Sequence, residues 1–157
     1  MKTTLLLVGK TTDEFINKLT ENYVSRLKHY LDFELQVIPN LKNTKNLTED
    51  QQKEKEGESI LKALEGADTT ILLDERGEQP TSTGFAAQMT RYQNQGVRRL
   101  VFVIGGPYGF SEQVYQRATG RLSLSKMTFS HQMVRLIFVE QLYRAMTIIK
   151  GEPYHHE

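Results

Sequence analysis

Two stretches of the sequence combine residue types and spacing that suit ligand binding. The first, GGPYGF at residues 105–110, follows an apolar run at 100–104 and has three glycines in five positions. A strand that enters a glycine-rich turn is where open parallel sheets hold ligands, because backbone N–H groups converge there. The turn matches neither G-x-G-x-x-G nor G-x-x-x-x-G-K-[ST], so it predicts no dinucleotide fingerprint or phosphate-cradling loop. A tight structural turn is the alternative.

The second stretch is RLSLSKMTFSHQMVR at residues 121–135, in which hydroxyl side chains alternate with apolar ones. Such a segment can wrap a flat heterocycle, with apolar groups on its faces and backbone groups on its edge.

The chain ends in GEPYHHE at 151–157, where an aromatic residue and two histidines follow a proline. Chain ends are usually frayed and featureless, so this tail indicates a function, with a tag fragment as the alternative.

The elements that must position these stretches follow from the apolar pattern. Short apolar runs predict strands at 3–8, 34–38, 69–73 and 100–104. Helical spacing predicts helices at 12–31, 48–65, 81–95 and 131–149, with Thr11 and Thr12 suiting one helix start and Ser111 another. The first helix groups these apolar residues on one face: Phe15, Ile16, Leu19, Tyr23, Leu27 and Leu31. Strands that alternate with helices predict an α/β fold, a mostly parallel sheet flanked by helices.

The last helix, 131–149, is apolar around most of its circumference. A helix of this kind must be buried on nearly all sides. In a chain of 157 residues, burial of one side against a second copy is the preferred interpretation, which predicts a homodimer. A central helix in a monomeric core is the alternative.

Composition limits the class of protein. The 157 residues are 38% hydrophobic and contain no cysteine, which fits a single domain over 1–157 and excludes disulfides and thiolate metal sites. No apolar run approaches the ~20 residues of a membrane helix. We therefore expect a cytoplasmic protein with neither a membrane anchor nor a metal.

Charge is unevenly distributed along the chain. Residues 91–150 hold nine Lys or Arg against two acidic residues, whereas the whole chain carries only +1. A basic half suits an anionic partner such as RNA, and mixing of the charges on the folded surface is the alternative. The polar stretch 39–56 is interpreted as a solvated loop and helix face.

Five blocks together resemble one known family. They are LLDERG (72–77), FVIGGPYGFS (102–111), LSLSKMTFSHQMVR (122–135), EQLYRA (140–145) and PYHHE (153–157). In this order and spacing they resemble the small bacterial SPOUT-class methyltransferases that methylate N3 of a pseudouridine in 23S ribosomal RNA. The resemblance implies a C-terminal trefoil knot, S-adenosylmethionine as cofactor, and the ribosome as substrate.

The resemblance also implies site residues. It places cofactor binding at Leu73, Gly105, Leu124, Ser125, Lys126, Met127, Thr128 and Phe129. It places the tail beside the methyl donor, where the candidate catalytic residues are Tyr154, His155, His156 and Arg144. Family members often carry arginine at the position of His156, so the histidine in this sequence departs from the family pattern.

Each candidate has a chemical role. A histidine titrating near neutrality, His155 before His156, suits removal of the weakly acidic N3 proton. Arg144 or Arg135 could hold RNA phosphate or the developing base anion, and Tyr154 could stack on a flipped base. The same chemistry on another RNA, and a non-catalytic nucleotide- and RNA-binding module, are the competing functions.

Overall fold

A computed structural model describes residues 1–156 of the chain. Five strands alternate with five helices, and a 3₁₀ turn at Thr44–Asn46 precedes the second helix. The strands are β1 (Lys2–Val8), β2 (Asp32–Ile38), β3 (Thr69–Glu78), β4 (Arg99–Ile104) and β5 (Gly120–Leu122). The helices are α1 (Glu14–Leu27), α2 (Glu49–Ala63), α3 (Ser82–Asn94), α4 (Glu112–Arg117) and α5 (His131–Lys150).

The five strands form one sheet in the order β2-β1-β4-β3-β5, and every pair is parallel. In the register, Leu5 of β1 lies between Leu35 of β2 and Phe102 of β4. Helices cover both faces of the sheet, so the central strands contain consecutive apolar residues, as at 5–8 of β1, 71–73 of β3 and 100–104 of β4, rather than alternating ones. The predicted α/β fold with a parallel sheet is confirmed.

Two apolar layers hold the helices to the sheet. Leu5 and Leu7 of β1 face the layer that includes α1, α3 and α5, and Leu6 faces the layer that includes α2 and α4. This division follows from the two-residue period of a strand. The glycine turn after β4 therefore lies between helices of opposite faces.

The predicted elements are recovered with three corrections. Strand β5 was not predicted, and β3 runs on to Glu78, past the predicted end at 73. Helix α1 spans only Glu14–Leu27, and its N-cap is Asp13, whose carboxylate accepts from the Ile16 N–H at 3.0 Å.

The predicted apolar face of α1 is also only partly buried. Leu27 is fully buried, whereas Phe15 is 80% and Leu19 is 47% exposed. The N-terminal half of that face therefore remains uncovered in the single chain.

Helix α5 matches its predicted span and packs against both α1 and α3. Phe138, Val139 and Leu142 on this helix are completely buried. Much of its apolar circumference is therefore covered within one chain, as in the alternative interpretation. The homodimer and the trefoil knot stay predictions. Among residues 1–156, no helix is long and apolar enough to cross a membrane.

Arg135 fixes α5 to the end of β1. Its guanidinium is 3% exposed and donates to the carbonyls of Val8 at 2.8 Å and Gly9 at 2.9 Å, and to the Thr11 hydroxyl at 3.0 Å. Burial lowers the pKa of this side chain. The hypothesis that Arg135 contacts RNA is corrected, because the side chain is buried and both its terminal nitrogens donate inside the protein.

We predict that Arg135→Met lowers the free energy of unfolding by about 2–4 kcal/mol, because two buried carbonyls lose their donors. Urea unfolding at pH 7 measures the change. The control is Arg91→Met on the exposed surface of α3, which should stay within about 0.5 kcal/mol of the wild type. Equal stability of the two variants would contradict a structural role for Arg135.

Candidate functional site

A cavity of about 230 Å³ opens at the carboxyl end of β4, beside residues 73–75 of β3, where β3 extends past its pairing with β4. Its lining residues are 73–75, 104–107, 109–110, 122–125, 127–129, His131 and Val134. Open parallel sheets bind ligands at such a position. Seven of the eight residues predicted to bind a cofactor line this cavity, and Lys126 does not.

The two adjacent glycines of the turn are required by close packing inside the protein. A Cβ on Gly105 would lie 2.9 Å from the Phe110 ring, and one on Gly106 would lie 2.4 Å from the Glu56 carboxylate. Gly109 has the left-handed φ of +80°. The turn thus leaves room for a ring and a carboxylate of the protein itself, and it presents Gly105 to the cavity.

Glu56 supports the turn from behind. Its side chain is 6% exposed and its Oε1 accepts from the Gly106 N–H at 2.9 Å. Burial raises the pKa of this carboxyl above the ordinary 4.5, and the hydrogen bond from Gly106 offsets only part of that effect. The expectation that residues 39–56 are a solvated face is therefore wrong at Glu56.

The loop after β5 is held by its own hydroxyl groups. The buried Ser123 donates to the Ser125 carbonyl at 3.0 Å, and the Ser125 hydroxyl accepts from the Met127 N–H at 2.9 Å. Ser130 then caps α5 by accepting from Met133 N–H at 3.2 Å. These bonds fix the loop so that Leu124 and Phe129 line the cavity. The serines therefore shape the site.

His131 is an imidazole at the cavity that sequence reasoning did not assign. It is the first residue of α5 and lines the cavity together with Val134. Burial, and then the charge of Arg135, lower the pKa of His131, so its neutral form predominates at pH 7. Its position in the block LSLSKMTFSHQMVR was the available signal.

The tail forms a second cluster. The Tyr154 hydroxyl donates to Glu140 Oε1 at 3.0 Å and lies 3.2 Å from the Tyr23 hydroxyl. Its ring meets that of Tyr143 edge-on at 4.8 Å, with the Arg144 guanidinium 4.9 Å from the ring centre. Burial, then the bonds to Tyr23 and Glu140, raise the pKa of Tyr154, which stays a phenol at neutral pH.

The predicted catalytic residues Arg144 and His155 lie together in this cluster. Arg144 donates to Glu140 at 2.7 Å, and its Nη1 is 3.2 Å from His155 Nδ1. His156 is exposed, and Glu157 lies outside the described residues.

Cavity and tail cluster occupy different parts of the chain. Arg144 is ten residues beyond Val134 on α5, which is about 15 Å along the helix axis. Tyr154 and His155 are not among the cavity's lining residues. Within one chain the tail therefore does not line the cavity, and its position beside the methyl donor stays a prediction.

Much of the basic half serves the fold. Arg99 donates to the carbonyls of Glu65 and Ala63, and Arg117 donates to those of Leu64 and Ala67. With Arg135 and Arg144 also bonded within the protein, four of the nine cations make hydrogen bonds that support the fold. Within residues 1–156 no group of three or more His, Asp or Glu could hold a metal ion.

Comparison with known proteins gives one family. Residues 1–155 match the family model described as "Predicted SPOUT methyltransferase". The Ribosomal RNA large subunit methyltransferase H of Bacteroides thetaiotaomicron is 60% identical over 157 residues, which are 100% of both chains. The protein of the same name from Flavobacterium johnsoniae is 55% identical over the same full lengths.

A solved structure shares the fold. The "Probable Methyltransferase from Bordetella pertussis Tohama I" superposes with a TM-score of 0.59 at 10% identity, over 92% of this chain and 96% of that one.

The buried Glu56 predicts a dependence of stability on pH. Its pKa is raised in the folded state, so below about pH 4.5 it is protonated both folded and unfolded and no charge is buried. As pH rises through the folded pKa, the wild type must bury a charge that Glu56→Gln does not. We therefore predict that the stability of Glu56→Gln relative to wild type increases from pH 4 to 7. Urea unfolding measures it, and a pH-independent difference would contradict the prediction.

Proposed function

The chain belongs to the SPOUT methyltransferase family, and from that premise we propose that it methylates N3 of a pseudouridine in 23S ribosomal RNA, with S-adenosylmethionine as the methyl donor. One observation carries the proposal: seven of the predicted residues, from three separate stretches of the chain between Leu73 and Phe129, converge on one cavity at the carboxyl edge of the sheet. Family membership favours an enzyme over a binding module.

The cavity fits a nucleoside-containing cofactor. Leu73, Leu124 and Phe129 offer apolar surface for a flat ring, and the turn at Gly105 offers backbone with no side chain in the way. S-adenosylmethionine, when bound, supplies a methyl group activated by a sulfonium. The protein then has to align the acceptor and remove one proton.

His155 is the proposed base for the N3 proton, with Arg144 beside it to stabilise the resulting base anion. Glu140 holds Arg144, and Tyr154 packs against the Arg144 guanidinium. Because Tyr143 and Arg144 contact the Tyr154 ring, we assign Tyr154 first to holding this arrangement. Stacking of Tyr154 on the flipped base becomes the secondary role.

The separation of cavity and tail supports the homodimer. The proposed base His155 contacts Arg144, which is about 15 Å along α5 from Val134 at the cavity. The tail of a second copy can therefore serve the cavity where the tail of the same chain does not line it. Phe15 and Leu19 on α1 and Met133 on α5 form an exposed apolar surface, with Met133 at 41% exposure. The Gln132 side chain joins the two helix starts by accepting from Thr12 N–H at 2.7 Å. Met133 is next in the chain to Val134, which lines the cavity, and this surface is the proposed dimer contact.

The proposed function is tested on ribosomes from cells that lack the protein. The wild type with S-adenosylmethionine should methylate their 23S rRNA at one pseudouridine, identified by mass spectrometry of the digested RNA. Methylation of another RNA only would overturn the assigned substrate and retain the enzyme class.

We predict that Gly105→Val weakens S-adenosylmethionine binding by at least about 10-fold, because its side chain meets the Phe110 ring at the cavity edge. Gly120→Ala is the matched control, since a Cβ there makes only ordinary contact at 3.4 Å from Ile71. Calorimetry measures both. Wild-type affinity in a folded Gly105→Val protein would remove the cavity as the cofactor site.

We predict that His155→Ala lowers the single-turnover methylation rate by about 10²–10⁴-fold while S-adenosylmethionine affinity is retained. Mixing His155→Ala with Gly105→Val chains should restore about a quarter of wild-type activity, because half the dimers then pair one intact cavity with one intact tail. An inactive mixture that contains the mixed dimer would refute the shared site. Near-normal activity of His155→Ala alone would move the base to His131 in the cavity.

A further inference from the structure

Two exposed arginines contact one tyrosine ring beside the cavity. The Arg121 guanidinium lies 4.3 Å from the centre of the Tyr115 ring, and that of Arg76 lies 5.6 Å from it. Arg76 Nη2 also donates to the Tyr115 hydroxyl at 3.0 Å. We call these three residues the arginine pair site. Because an aromatic ring holds both guanidiniums, they are partly ordered before any partner binds.

Asp74 attaches this site to the cavity wall. Its carboxylate, with the side chain 7% exposed, accepts from the Tyr115 hydroxyl and from Arg76 N–H at 2.8 Å, and lies 3.6 Å from Arg76 Nε. Burial acts to raise the pKa of Asp74, but hydrogen bonds from Tyr115 and Arg76 and the two guanidinium charges together lower it. Asp74 is therefore ionised at neutral pH, and its oxygens are engaged in orienting the site.

Both guanidiniums of the site are open to a partner. The Arg76 side chain is 67% exposed, and Arg121 is also exposed. Glu78 lines one groove beside them, and Glu49 and Glu75 line another. Within residues 1–156, the salt bridge to Asp74 is the one ion pair recorded for these two guanidiniums. Two like charges on one ring repel each other, so an anion that accepts from both is favoured.

The surface around the arginine pair site has room for a single strand of RNA. A groove of about 470 Å³ includes both arginines, and a second groove of about 660 Å³ includes Arg76 and Tyr115. The second groove shares Leu73 and Asp74 with the cavity. A single RNA strand that lies through both grooves would therefore pass the opening of the cavity.

We propose that Arg76 and Arg121, oriented by Tyr115, bind backbone phosphates of the RNA next to the nucleotide that is methylated. This proposal rests on the proposed function, and it adds a docking contact to it. Guanidinium suits the task because its fork of donors matches a phosphate and its charge is permanent. Phosphate contacts set the position of the RNA, and they carry no sequence information.

The test compares Arg76→Gln/Arg121→Gln with Arg98→Gln in ribosome binding over 50–200 mM salt. Arg98 is an exposed cation preceding β4, at the opposite end of the strands from the cavity. Loss of two phosphate contacts should lower the slope of log K against log salt by about 1.4–1.8. The wild type should then lose about 10-fold more affinity across this range than the double variant. Arg98→Gln should keep the wild-type slope.

A charge-retaining variant separates phosphate binding from other effects. Arg76→Lys/Arg121→Lys should keep most of the slope while binding more weakly, since lysine lacks the fork and stacks less well. S-adenosylmethionine affinity of the double glutamine variant should stay within about 2-fold of wild type. A large loss of cofactor affinity would mean that the arginines only shape the cavity, which overturns the proposal.

Failure of this proposal is distinguishable from failure of the proposed function. If the wild type methylates 23S rRNA and the double glutamine variant keeps the full salt slope, the arginine pair site is not a phosphate contact. If the wild type does not methylate 23S rRNA, the proposed function fails, and this proposal fails with it.

Discussion

The site depends on the burial of a parallel sheet on both faces. With α1, α3 and α5 on one face and α2 and α4 on the other, the central strands have no surface to offer a ligand except at their ends. Residues 73–75 of β3 meet the loops after β4 and β5 at this edge because the three strands are neighbours in the sheet, although they are far apart in the chain. The cavity follows from this strand order, and its chemistry follows from the loops.

The burial of the sheet on both faces explains which strands could be predicted from the sequence. The runs that became β1 and β4 are dominated by Leu, Val, Ile and Phe because both faces are covered, so their composition alone indicates strands. Strand β5 is three residues, Gly120, Arg121 and Leu122, and no propensity distinguishes it from a loop. It exists because β3 offers an unpaired edge, which is a tertiary effect.

The burial of two charged side chains, Glu56 and Arg135, could not be predicted from the sequence. Glu56 follows a run of solvated residues, and its partner is a backbone N–H fifty residues away. Arg135 sits in an apolar helix, and its partners are carbonyls at the end of β1. A cation or a carboxylate is expected at the surface unless its partners are known, and these partners exist only once the chain has folded. Local chemistry indicated a ligand at the glycine turn, and only the family resemblance named the ligand.

The two clusters on α5 differ in how they are built, and this bears on mechanism. The cavity is made mainly of main-chain turns that are held by the protein's own groups, such as Glu56 behind Gly106 and Ser123 behind the loop. The tail cluster is made of side chains that bond to one another, from Tyr154 through Glu140 to Arg144. A main-chain site suits the recognition of a cofactor of fixed shape, whereas a linked set of ionisable side chains suits the movement of a proton. On the proposed function, α5 in each copy contributes His131 and Val134 to the cavity, and Glu140 and Arg144 to the tail cluster. Assembly of two copies then determines whether a cavity and a tail can act on the same nucleotide.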